Sequence, residues 1–312
     1  MKRNIFIAEI CSALCLQYIG ENVEINGLNL CNRRSEHNRI LTYATSESYI
    51  DYIRRNQSVV AIALRKEDLY TYQEICNEKN LTVIICDDPE KTFYDIHDFL
   101  YYRTDFYEKF DFVTKIGENS LIHPSAVVDK GVIIGKNVKI GANTVIRRGT
   151  VIRDNCVIGC NTTIGSEGFQ IIRIGGINRK IIHCGGTLLN EGVYVGDNVT
   201  VCNALFEGEL YIGKGTMIDN LVHVGHNVFI GNNAVITAGA ILCGSSVIKD
   251  NAWIGVNSSV LNRITVGEGS KIGIGSVVTR DVLDETLAYG VPARMKKKMD
   301  EFAKEQLKRM NL

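Results

Sequence analysis

Aliphatic residues recur along the middle of this chain with a period of six. Stepping from Ile122 reaches Val128, Ile134, Ile140, Ile146, Ile152, Ile158 and Ile164. Stepping from Ile212 reaches Ile218, Val224, Ile230, Ile236, Leu242, Ile248, Ile254, Val260, Val266, Ile272 and Val278. No step lands on another residue type, although only 45% of the chain is hydrophobic, so the period is structural. Glycine or asparagine often follows the aliphatic position, as in "IGKN", "IGAN", "IGNN" and "VGEG". These residues supply the positive-φ backbone that a sharp corner between short strands requires. Three hexads make one triangular coil of about 18 residues, and stacked coils bury a continuous aliphatic column. The pattern predicts a parallel β-helix prism over residues 109–285.

The rhythm breaks at "GSEGFQIIRIGGINRKIIHCGG", residues 165–186, and slips by one residue near Phe206, between Val201 and Ile212. A solenoid tolerates insertions as loops leaving a corner, and such loops commonly carry function. Residues 1–108 lack the hexad. Short apolar runs, "VVAIAL" and "LTVIIC", alternate there with the helix-like "YTYQEICNEKN" and "EKTFYDIHDFLYYR", predicting a small α/β domain. The opening "MKRNIFIAEICSALCLQYIG" has the basic tip and apolar stretch of a signal peptide. Glu9 interrupts that stretch and no small-residue cleavage site follows, so it reads as a first amphipathic helix. After Pro292, Met295, Met299, Phe302 and Met310 fall on one helical face, predicting a C-terminal helical tail over 286–312.

Charge and composition narrow the function. Lys+Arg equals Asp+Glu at 35 each, which leaves no basic excess for a phosphate backbone and argues against nucleic acid. The longest apolar runs fall far short of the roughly 20 residues that cross a bilayer, so no membrane span is expected and the location reads as cytoplasmic. Ten cysteines occur without a CxxC pair and read as small reduced core residues. Neither a metal nor a permanently bound cofactor is expected.

The candidate chemistry lies in "DNLVHVGHNVFIGNN", residues 219–233, which holds two of the six histidines. His226 stands two residues beyond inward-facing Val224, on an outer face or at a corner. One coil later comes Gly244, which should stack beside it. A glycine there lets a backbone N–H approach a ligand closely, as an oxyanion hole requires. Imidazole is the natural proton acceptor at neutral pH. Asn227 and the Asp219/Asn220 pair add polar groups near the same edge. His223 reads as structural or as support for His226.

The stretch "IDNLVHVGHNVFIGNNAVITAGAILCGS" resembles the active-site segment of the UDP-3-O-(3-hydroxyacyl)glucosamine N-acyltransferase family of the lipid A pathway. The likeness extends to "IHPSAVV" at the start of the prism, "IGSEGFQ" at the opening of the loop, and "LTYATSESY" in the N-terminal domain. It implies a left-handed β-helix and a homotrimer with sites between neighbouring prisms. It further implies His226 as general base and Gly244 N–H as oxyanion donor. Asp219, Asn220, Asn227, His183 and Phe169 are implied near the acceptor, and Tyr43, Ser46 and Tyr49 around the nucleotide base. Ser46 takes the place of the family's base-reading asparagine. The ending "YGVPARMKKK" resembles the coenzyme A-dependent sugar and serine acetyltransferases.

The expected reaction is acyl transfer from a thioester, either acyl carrier protein (acyl-ACP) or acyl-CoA, to the amine of a nucleotide-linked amino sugar. One alternative is a coenzyme A-dependent enzyme acting on a dTDP- or UDP-amino-deoxy sugar. Another is a non-enzymatic or zinc-binding prism, in which His223, His226 and His183 of a neighbouring copy would converge.

Overall fold

The computed structural model describes residues 4–33, 35 and 37–300. The chain divides into two compact units, one of residues 1–109, 170–184 and 206–208, the other of 110–169, 185–205 and 209 onward.

The second unit is the prism. Its short strands form three sheets of eight, eight and ten strands. Within each sheet a strand pairs in parallel with the strand one coil away. In the regular coils the register advances by three hexads, pairing Ile122 with Ile140, Val224 with Leu242, and Leu242 with Val260. Every residue of the six-residue pattern from Ile134 onward is at most 3% exposed, while Ile122 and Val128 are partly buried at the start of the column. Corner asparagines such as Asn137, Asn155, Asn233 and Asn257 take φ between +53° and +61°, a region this side chain tolerates better than most. Parallel coils leave polar backbone at each corner. Side chains two residues past the inward aliphatic satisfy part of it: Asp154 accepts the Lys136 N–H at 2.8 Å, Asn232 that of Lys214 at 2.9 Å, and Asp250 that of Asn232 at 2.9 Å.

Two excursions interrupt the coils. Ile158 pairs with Val195 and Ile164 with Val201, about twice the regular spacing, so the first excursion inserts roughly the length of one further coil. Leu189 pairs with Ile212 and Val201 with Val224, each five positions beyond the regular spacing, so the slip near Phe206 is an insertion of five. The hexad count alone sees five extra positions as one missing.

The predicted helical tail is corrected over residues 286–298. Thr286–Gly290 joins the ten-stranded sheet, with Ala288 beside Ile272, and Ala293–Lys298 folds back antiparallel on it. The free hydrogen-bonding edge at Lys271–Ile272 offers these residues a ladder, and that long-range pairing outweighs the helix preference of their methionines and lysines. Met295 is 51% exposed and Met299 is buried. Phe302 and Met310 lie outside the described residues.

The first unit carries a five-stranded sheet in the order Gln17–Ile19, Thr82–Ile85, Val59–Leu64, Ile40–Tyr43, Gly27–Leu28, parallel except for Gln17–Ile19. Its helices are α1 (Ile7–Leu14), α2 (Ile50–Arg55), α3 (Leu69–Lys79) and α4 (Pro89–Arg103). Strand Val59–Leu64 is buried along almost its whole length, as a central parallel strand must be. Tyr72 and Ile75 of α3 and Ile53 of α2 pack with Ile40, Ile62 and Leu64. The first excursion contributes an antiparallel hairpin, Ile171–Ile174 with Ile177–Lys180, and Arg179 forks onto Asp95 at 2.6 Å and Asp98 at 2.7 Å of α4. No helix among the described residues is long and apolar enough to cross a membrane.

Candidate active site

Strand His223–Val224 turns Val224 into the column and His223 outward. His226 follows at the corner, half-buried, and Gly244 lies beside it on the next coil. The fit is close: a Cβ on Gly244 would sit 2.6 Å from His226 Nε2 and 2.8 Å from Cε1. Any side chain at 244 would therefore push the imidazole aside. Position 244 is also where Asp154, Asn232 and Asp250 stand in their own coils. Glycine there replaces a corner staple with space for a ring. Among the described residues no acceptor meets the Gly244 N–H.

The ring's protonation follows from its neighbour. Asn227, at a corner with φ +56°, accepts the Leu205 N–H on Oδ1 at 2.9 Å, and the same oxygen lies 3.0 Å from His226 Nδ1. An atom that receives a backbone N–H is the amide oxygen, so Nδ1 must be the donor. The neutral imidazole then carries its lone pair on Nε2, the nitrogen directed at Gly244. Desolvation pulls the His223 imidazole below its ordinary value.

Asp219 and Asn220 occupy the corner before strand His223–Val224, whereas His226 occupies the corner after it, so the expected shared edge is corrected by the length of one prism side. Their oxygens bind backbone: Asn220 Oδ1 accepts the Asp197 N–H at 2.6 Å, and Asp219 Oδ1 the Asn220 N–H at 2.7 Å. Asn227, expected near the acceptor, orients the histidine. Phe169 is 77% exposed in the prism unit. His183 belongs to the other unit and is buried, its Nδ1 donating to Ile181 O at 3.1 Å, so exposure is excluded for it. No group of three histidine, cysteine, aspartate or glutamate side chains suited to a metal occurs among the described residues.

Tyr43, Ser46 and Tyr49 cluster in the first unit at the C-terminal end of strand Ile40–Tyr43. This is the end of a parallel sheet where ligands commonly bind. Tyr43 donates to Glu90 at 2.9 Å and packs against Phe93, ring centres 5.1 Å apart. Burial raises its phenol well above the ordinary value, with Tyr94 and Glu90 adding to the effect. Ser46 is exposed, its hydroxyl 2.7 Å from that of Ser48, and Tyr49 is half-buried against the cluster containing Ile53 and Tyr72.

Sequence reasoning missed Leu205, whose N–H holds Asn227 Oδ1 beside the imidazole. It acts through a backbone N–H, which leaves no mark in residue type, and its only signal is the break in register between Val201 and Ile212.

Residues 114–148 and 134–167 match the bacterial transferase hexapeptide (six repeats), and residues 221–249 and 246–280 match the hexapeptide repeat of succinyl-transferase. A UDP-3-O-acylglucosamine N-acyltransferase of Methylorubrum extorquens is 33% identical over 130 residues, 42% of this chain and 37% of the relative. Its namesake from Campylobacter lari is 35% identical over 134 residues, 43% of this chain and 42% of the relative. The alignments thus span about two fifths of these relatives' length. Among solved structures, a UDP-N-acetylglucosamine acyltransferase from Campylobacter jejuni aligns with TM-score 0.49 and 21% identity over 63% of this chain and 78% of that one. Residues 114–167 and 221–280 thus carry hexapeptide repeats, the prism is a left-handed parallel β-helix, and the chain's likeness is to the UDP-3-O-acylglucosamine N-acyltransferases.

Proposed function

We propose that this protein is an acyltransferase that moves an acyl group from a thioester to the amine of a nucleotide-linked amino sugar, a reading supported by its likeness to UDP-3-O-acylglucosamine N-acyltransferases. The observation that carries the reading is the stacked pair itself: an imidazole with its lone pair on Nε2 above a glycine whose N–H meets no acceptor among the described residues. Nε2 takes the proton as the amine nitrogen attacks the thioester carbonyl. The oxyanion so formed receives the Gly244 N–H. As the carbon–sulfur bond breaks, the imidazolium returns the proton to the departing thiolate. Acyl carrier protein and coenzyme A thioesters both meet these requirements.

Tyr43 and Tyr49 are assigned to the nucleotide base, supported by their place at the carboxyl end of a parallel strand. A homotrimer is supported by the outer faces of the prism, where Met217, Tyr194, Ile241 and Phe229 are each at least 40% exposed and a second copy would cover them. Ten free thiols suit a reducing cytoplasm.

The test is turnover of UDP-linked 2-amino and deoxyamino sugars with acetyl- and 3-hydroxyacyl-thioesters of coenzyme A and carrier protein, followed by mass spectrometry. His226→Ala should lower kcat by roughly 10² to 10⁴ with substrate affinity retained. Undiminished turnover by that variant at pH 7 would remove His226 from the chemistry.

A further inference from the structure

The hairpin that closes the ten-stranded sheet turns apolar and basic groups to solvent. Its register pairs Gly290 with Ala293, so Val291 and Pro292 form the tip. The tip is tied to the neighbouring corner of the prism: Gly290 N–H donates to Ser276 Oγ at 3.2 Å, and that hydroxyl donates to Gly273 O at 2.6 Å. Ile274 stands in the same corner, 76% exposed, and Val291 is 74% exposed. Both have open space around them. A Cβ on Gly275 would meet no atom within 4 Å, and one on Gly290 would meet only Pro292 O at 3.5 Å. The tip is therefore a convex projection and not the wall of a groove. The strand behind it is basic. Arg294 stands opposite Tyr289, Lys296 Nζ lies over the Tyr289 ring at 5.0 Å from its centre, and Lys298 follows two residues on. Among the described residues none of these three cations pairs with a carboxylate, whereas on earlier coils Lys214 pairs with Glu191 at 2.8 Å and Lys249 with Asp284 at 2.9 Å. Positive charge gathered without acids to balance it attracts an anionic partner.

We propose that this hairpin docks the protein on the surface of an anionic bilayer, with Val291 and Ile274 among the headgroups and Arg294, Lys296 and Lys298 on the lipid phosphates. The shape of the tip favours a lipid surface over a folded partner. Aliphatic side chains on a convex tip sink into a soft interface, whereas a rigid protein would touch them at a point and leave them wet. Tyr289 fits the same depth, since aromatic rings and the long stems of lysine both gather at the boundary between headgroup and hydrocarbon. The three cations are strung along residues 294–298 instead of converging on one spot, which suits phosphates spread over a plane better than those of a single soluble ligand. A second copy of the chain presenting the same hairpin is opposed by its like charge.

The proposal stands apart from the acyl-transfer reading, and its test needs no substrate. Full-length protein is floated with vesicles of phosphatidylcholine alone or of phosphatidylcholine mixed with phosphatidylglycerol. It should float with the mixed vesicles at low salt, stay behind with the neutral ones, and be released as salt is raised. Each Lys or Arg near such a surface strengthens binding about fivefold, so the triple variant Arg294→Gln, Lys296→Gln, Lys298→Gln should lower the partition coefficient by about 100-fold. The double variant Ile274→Ser, Val291→Ser should lower it by about tenfold and keep the salt dependence. All five side chains are exposed, so both variants should keep the wild-type thermal midpoint. A wild-type protein that does not float, or that floats equally with neutral vesicles, overturns the proposal. So does a double serine variant that partitions like the wild type, which would assign the cations to a soluble anion such as an acidic protein. A change in the oligomer size of that variant by light scattering overturns it as well, and would give the tip to a contact between copies.

Discussion

His97 and His226 are both held by hydrogen bonds, yet only His226 fits the base of the proposed reaction. His97 is fully buried in the first unit, its Nδ1 accepting from Tyr107 at 2.8 Å and its Nε2 donating to Ile182 O at 3.0 Å. Burial pushes its pKa down to about 4, although the bond to Ile182 works in the other direction. Both nitrogens are structural and the ring stays neutral. His226 is half-buried, with Nδ1 committed to Asn227 and Nε2 aimed over a glycine. The difference teaches that a histidine is marked as a base by what its second nitrogen faces, more than by burial or by the presence of a fixed partner.

The sharpest way to break this comparison is to fill the space that Nε2 faces. Gly244→Ala keeps the backbone N–H but places a methyl where the ring now lies, and kcat should fall by about 10² or more, the range of a displaced general base, with the fold retained. A kcat within threefold of wild type would mean that the stacking is incidental. On the structural side the effect should appear in stability. The unfolded chain protonates His97 near pH 6.5, whereas the native ring resists until about pH 4. Stability therefore falls as the pH is lowered through that window, by about 3 kcal/mol in all. Denaturant titrations at pH 7 and 4.5 should show most of that loss, and His97→Gln should flatten it.

A smaller effect separates corner staples from the reactive corner. Asp250→Ala frees the Asn232 N–H and should cost about 1 kcal/mol of stability, read from the denaturant midpoint, with kcat unchanged. The smallest is His223→Ala, for which kcat should stay within about threefold. A larger loss would make the outward histidine of the strand a participant.

Much of this was legible in the sequence because the prism is repetitive. The six-residue pattern placed the column from Ile134 to Val278, and adding one coil to 226 pointed to Gly244. Strand Val59–Leu64 was legible as a continuous apolar run, since a strand buried on both faces has no alternation to hide it. The corner occupied by Asp219 and Asn220 was misjudged because nearness in sequence stands in poorly for position on a triangle, where a few residues cross a whole face. Leu205 was invisible because its contact with Asn227 is made through its backbone. Over residues 286–298 the helical expectation failed for a different reason: the local preference there is helical, and only the waiting edge of the sheet decides otherwise.

That edge has a consequence for growth. A parallel coil ends each turn by presenting the same strand it received, so nothing in the repeat limits its length or refuses another chain. Among the described residues, 286–298 supply a stop to one of the three sheets. The chain reverses, and the last described strand runs antiparallel to its neighbour and bears Arg294, Lys296 and Lys298. A second prism arriving at this sheet would meet a strand of the wrong direction and a row of like charges, which discourages a self-templating architecture from growing into a fibre.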